Sequence, residues 1–185
     1  MIRPRTALLA LSILGLSWLP FATRGVSAQS AAADPVDVGS LDAIIGALYD
    51  VISGPAGQTR DWDRFHSLFI PEGARLIPTG RGPNGVGHRV WSPQEYAQAA
   101  GASLEERGFY EDEIGRTTEA FGNIVHVFSA YQSKNRPDDA EPFQRGINSI
   151  QLLNDGARYW IVSIFWDAER PENRIPDRYL TPPGR

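Results

Sequence analysis

Cysteine is absent from all 185 residues, so no disulfide staples the chain and no thiolate is available as nucleophile or metal ligand. A hydrophobic core has to hold the fold unaided. Histidine occurs three times, at positions 66, 88 and 126, far apart and without the close second ligand that a metal site needs. No metal and no cofactor is expected. Positive charge is also in deficit, with 18 basic against 22 acidic residues and a formal net charge of −4. Nucleic acid and anionic membrane surfaces are therefore poor partners. The glycines at 80, 82, 85 and 87 match neither phosphate-loop spacing, and no Gly-Lys-Ser/Thr closes them, which argues against a nucleotide cradle. Long apolar runs are missing too. The one stretch that approaches a membrane span, Ala7 to Trp18, is short and broken by Ser12, Gly15 and Ser17.

That stretch follows the basic start Met1-Ile2-Arg3-Pro4-Arg5 and precedes Val26-Ser27-Ala28, the order of a secretory leader. Residues 1–28 are read as a signal peptide, which makes the mature chain periplasmic or secreted, with no membrane attachment after cleavage. Losing Arg3, Arg5 and Arg24 leaves 15 basic residues against the same 22 acidic ones. The remaining length suits one domain. Residues 29–39, with Ala, Ser, Gln and Asp beside Pro35, read as a flexible lead-in.

From Ser40 the chain becomes periodic. Leu41, Ile44, Ile45, Leu48 and Ile52 recur at helical spacing behind a Ser40 cap, and Gly54-Pro55 stops them. Asp61 caps a short helix carrying Trp62, Phe65 and Phe69, which ends before Pro71. A short extended piece over 74–78 leads into a glycine-dense loop or hairpin, Thr79 to His88. The best-marked helix opens on Ser92-Pro93 with Glu95 as the capping-box acid and runs to about Arg107. After Gly108 the period changes to two. Four extended runs follow, Phe109–Phe121, Asn123–Ser133, Phe143–Leu153 and Arg158–Asp167, the last two joined by the hairpin signal Asn154-Asp155-Gly156. Helices first and a meander last give an α+β fold, with three helices packed on a curved, mainly antiparallel sheet. Residues 170–185, with their prolines and charges, read as an irregular tail.

The segments Asn123–Tyr131, Arg145–Leu153, Asp155–Trp160 and the run to Glu169 resemble the closing strands of the nuclear transport factor 2-like (SnoaL-like) superfamily. The likeness covers 40–169. It implies a cone-shaped α+β barrel whose mouth can hold a small apolar molecule and whose outer sheet face can pair with a second copy, making a homodimer. It implies no single chemistry, because that fold serves isomerases, dehydratases, cyclases and proteins without catalysis. Two readings follow: an exported small-molecule-binding or dimerisation module, and a lyase, isomerase or cyclase acting on a small apolar substrate.

Candidate site residues are those that break the apolar pattern. His126, in a strand of apolar neighbours, is the side chain best suited to proton transfer near neutral pH and is the expected general acid or base. Tyr131 or Asn148 would orient an oxygen. Arg145 needs a carboxylate, for which Glu111, Glu113 and Glu119 are at hand, or else clamps a substrate. Trp62, Phe128 and Trp160 are the aromatic surfaces on which a ligand would lie. Alternation places His126 and Phe128 on one strand face and Tyr131 on the other, so the sequence leaves open which face lines the pocket.

Overall fold

The computed structural model describes residues 32–181; the leader expected over 1–28 lies outside the described residues. Four helices and six strands are built in the order α1 (Pro35–Val38), α2 (Leu41–Ile52), α3 (Trp62–Ser67), β1 (Arg75–Gly82), β2 (Gly85–His88), α4 (Pro93–Arg107), β3 (Tyr110–Phe121), β4 (Ile124–Lys134), β5 (Gln144–Asn154) and β6 (Tyr159–Ala168). The caps fall where the sequence places them. The Ser40 side chain accepts from the N–H of Ala43, Asp61 from that of Arg64, and Ser92 and Glu95 form a reciprocal capping box.

The lead-in is more structured than its composition suggests. Asp34 caps α1, Val38 is buried in the core, and Asp37 pairs with Arg64 at 2.8 Å. The folded unit therefore starts near Asp34, because one carboxylate and one valine give this polar stretch something to bind.

The strands form one sheet in the order β2-β1-β6-β5-β4-β3. All pairings are antiparallel except β1 with β6, which lie parallel across the helical crossover between the first and second halves. The meander register follows the two-residue period: Val127 pairs with Ile150, which pairs with Ile164. These three, with Val125, Leu152 and Ile161, turn to the face on which Ile44, Ile45, Leu48 and Ile52 of α2 and Phe65, Leu68 and Phe69 also pack. Each such fully buried aliphatic contributes about 2 kcal/mol relative to exposure. This is the inner face.

Arg60 locks the helices to one another. It is buried, and its guanidinium donates to the carbonyls of Ile52 (2.9 Å), Gly54 (2.7 Å), Gln58 (2.6 Å) and Leu104 (3.1 Å). Two of these acceptors close the C-terminal ends of α2 and α4, where a helix presents its partial negative charge. The tail returns across the outer face: Ile175 is buried, a 3₁₀ turn forms at Asp177–Tyr179, and Tyr179 stacks on Phe128 at 5.2 Å. Gly115 makes this possible, since a Cβ there would stand 2.3 Å from the carbonyl oxygen of Tyr179.

Candidate functional site

The inner face of the meander ends in polar residues. In β3, Glu111 pairs with Ser133 and Glu113 with Tyr131; in the next ladder Ser133 pairs with Gln144, Tyr131 with Gly146 and Ser129 with Asn148. Because paired residues share a face, Glu111, Glu113, Ser129, Tyr131, Ser133, Gln144 and Asn148 all point inward. Helices α2, α3 and α4 close over them. Between the two layers is a cavity of about 200 Å³.

Aromatic and aliphatic side chains make most of its wall, among them Phe65, Tyr96, Phe109 and Trp166, with Leu48 and Ile52 from α2. Tyr96 is held by Phe65, stacked at 5.6 Å, and by Trp166, edge-on at 6.3 Å. Phe143 stands at the rim, 53% exposed and 6.2 Å from Phe109. Among the described residues no cationic side chain lines this cavity. Its polar wall consists of Glu111, Ser133, Asn148, Gln144 and the hydroxyls of Tyr49, Tyr96 and Tyr131.

Glu111 is the chemically distinctive group. Glu111 is half-buried, and desolvation by the surrounding protein pushes its pKa from 4.5 up to about 7, against the lowering effect of Ser133 and Asn148 beside it. The Ser133 hydroxyl donates to Glu111 Oε2 at 2.7 Å. Tyr131 is 1% exposed, and burial raises its pKa well above that of a free phenol, so it is protonated at neutral pH. Its oxygen accepts from Gln144 Nε2 at 2.9 Å, which leaves its own proton for another acceptor. Gly146 is required beside it. A Cβ at that position would lie 2.5 Å from both Tyr131 Oη and the carbonyl oxygen of Asp167.

Behind the wall a second set of hydrogen bonds runs toward the surface. Asn148 Nδ2 donates to Tyr49 Oη at 3.1 Å, Tyr49 lies 2.7 Å from Ser129 Oγ, and Ser129 donates to Glu113 Oε1 at 2.5 Å. Arg116 grips Glu113 with Nε at 2.9 Å and Nη2 at 2.6 Å, and reaches Asp42 with Nη1 at 2.6 Å.

The structure separates the residues singled out from sequence. Tyr131 and Asn148 line the cavity; His126 does not. It stands on the outer face, where its Nε2 is 3.0 Å from Ser149 Oγ and its ring meets Phe128 edge-on at 5.0 Å. His126 and Tyr131 are five residues apart on one strand, so the two-residue period forbids them one pocket. Arg145 is on the outer face as well, and its carboxylate is Glu169 at 3.4 Å rather than one of the glutamates of β3. The strand register explains this, since Arg145 pairs with Gln132 while Glu111 and Glu113 point inward. Phe128 lies beneath the tail. Trp160 lies on the outer face, donating to Asp155 at 2.7 Å with Arg158 stacked 3.5 Å over its ring. Trp62 packs edge-on against Phe65 behind the cavity wall. Among the described residues no group of three or more acidic or histidine side chains is placed to hold a metal.

Glu111, Tyr49 and Tyr96 were not legible as site residues. The signal for Glu111 is present in the strand pattern, because Glu111 and Glu113 are two residues apart and so repeat acid on one face of the strand. What the sequence withholds is that this face is the inner one.

No protein-family profile and no curated protein matches the sequence. Solved structures do share its architecture. A Nostoc punctiforme protein of unknown function, described as having a cystatin-like fold, superimposes at a TM-score of 0.52 with 10% identity over 69% of this chain and 87% of its own. A Novosphingobium aromaticivorans protein assigned as the β subunit of an aromatic-ring-hydroxylating dioxygenase gives 0.51 at 13% identity, over 78% and 95%. A nuclear transport factor 2-like protein of unknown function from Silicibacter pomeroyi gives 0.49 at 14% identity, over 71% and 94%. At such identities the likeness is one of fold.

Proposed function

Taking as premise that this chain has the nuclear transport factor 2-like fold, we propose that it binds a small uncharged ring compound in the inner cavity and moves a proton on it with Glu111. One observation carries this reading: an acidic group with a proton affinity matched to neutral pH faces an apolar, aromatic cavity that also holds a free phenolic donor. A carboxylate with a pKa near 7 is half ionised at pH 7 and can both take and return a proton. Tyr131 supplies the complementary half. Its oxygen is held by Gln144 in the space that Gly146 leaves, and its O–H can donate to a ligand oxygen on which negative charge develops as the proton leaves carbon. The apolar, aromatic wall and the acidic Glu111 favour a neutral ligand, since among the described wall residues an anionic one would meet no counter-charge. The reading places the work outside the cytoplasm, after loss of residues 1–28.

A small cyclic ketone is a suitable probe, because its α-hydrogens are acidified by a carbonyl that can accept from Tyr131. In deuterated buffer at pH 7 the protein should accelerate exchange of the α-hydrogens of cyclohexanone. E111Q should lose that acceleration at least tenfold, Y131F should weaken it, and H126A should leave it unchanged. Equal rates for wild type and E111Q would reject Glu111 as the proton carrier.

A further inference from the structure

The chain Asn148–Tyr49–Ser129–Glu113 has only one consistent direction. Glu113 is held by Arg116 through both carboxylate oxygens, at 2.9, 3.1 and 2.6 Å, and both side chains of that pair are about nine-tenths buried. An ionised carboxylate accepts only, so Ser129 must donate to it. Ser129 has one proton. With that proton given to Glu113, its oxygen receives the Tyr49 O–H, and the Tyr49 oxygen in turn receives the Asn148 N–H. Every proton in the row therefore points from the cavity toward Glu113.

This direction decides which end of the Asn148 amide faces which neighbour. Its nitrogen is pinned on Tyr49, and the amide stands beside Glu111 on the wall of the same cavity, where it favours the ionised carboxyl. We propose that Glu113 is a positioning residue for Glu111: acting through Ser129 and Tyr49, it holds the Asn148 amide with its N–H side rather than its carbonyl toward the Glu111 carboxyl. Without the anchor, Tyr49 is free to donate to Asn148, the amide turns over, and a carbonyl oxygen then opposes the Glu111 carboxylate. The ionised form of Glu111 loses a donor and gains a repulsive neighbour, so it holds its proton more tightly. Glu113 does this without touching the cavity, from whose lining it is absent.

The inference rests on Glu111 as the proton-exchanging group, but its test needs no ligand, so the two can fail separately. The probe is the Glu111 carboxyl carbon followed by NMR through a pH titration, with E111Q assigning the signal. S129A removes the link and leaves the Glu113–Arg116 pair intact; E113Q removes the anchor itself. In either variant that remains folded the Glu111 midpoint should rise by roughly half to one unit. A midpoint that stays in place, or falls, in S129A would overturn the proposal, whatever cyclohexanone exchange shows.

Discussion

Burial alone asks Glu111 to be neutral, and that demand shows up in stability as well as in chemistry. In the unfolded chain the carboxyl ionises near 4.5, whereas in the folded protein it holds its proton up to about 7. Between those values the folded state binds more protons than the unfolded state. The stability it contributes is present in full below pH 4.5 and is lost as pH rises through 7. The loss should be on the order of 2 kcal/mol once the partial exposure of the residue is allowed for. Asp37, held down by its hydrogen bonds from Arg64, has the opposite sign and acts in acid. The difference between proteins is therefore the useful quantity. Urea unfolding at pH 5 and pH 8 should show E111Q more stable relative to wild type at pH 8 than at pH 5; an equal difference at both would show that Glu111 ionises normally. The same residue marks the limit of sequence reasoning. His126 attracts notice because its neighbours are apolar, yet apolar neighbours are also what the outer face of this sheet offers, and Ser149 satisfies it there.

Elements were more legible than sites, because caps and periodicity act through local chemistry that a sequence displays. The capping box at Ser92 and Glu95, the Asp61 cap and the four strands of the meander all lie within two residues of where pattern places them. Arg60 was not legible, since its acceptors are backbone carbonyls from α2, the following loop and α4, and carbonyls carry no sequence signature. Its charge lies at two helix C-termini, where a guanidinium fork reaches carbonyls that a lysine cannot reach together. Arg60→Met should cost on the order of 3 kcal/mol, and Arg60→Lys should recover only part of it, as read from urea midpoints. A loss below about 0.5 kcal/mol in Arg60→Met would mean that water serves those carbonyls equally well.

At the scale of the whole molecule, the α+β architecture followed from the order of elements, while the assignment of sheet faces required the tertiary structure. The outer face carries Ile124 at 62% exposure and Phe165 at 49%, with Leu153, Val86 and Val90 also exposed. The tail covers only part of it, around Phe128 and Gly115. Apolar area of this kind is suited to a second copy. Light scattering at micromolar concentration should give the mass of a dimer, and Phe165→Glu should give that of a monomer; a monomeric wild type would leave the face without that partner. The inner cavity depends on none of this. Its claim to function rests on one carboxyl, so the most direct measurement is the carboxyl-carbon NMR titration of the unmodified protein between pH 3 and 9. One carboxyl should show a midpoint near 7, missing in E111Q, and displaced when cyclohexanone is added. If every carboxyl titrates below about pH 5, Glu111 is an ordinary solvated glutamate, and the proton-transfer reading of this cavity is contradicted.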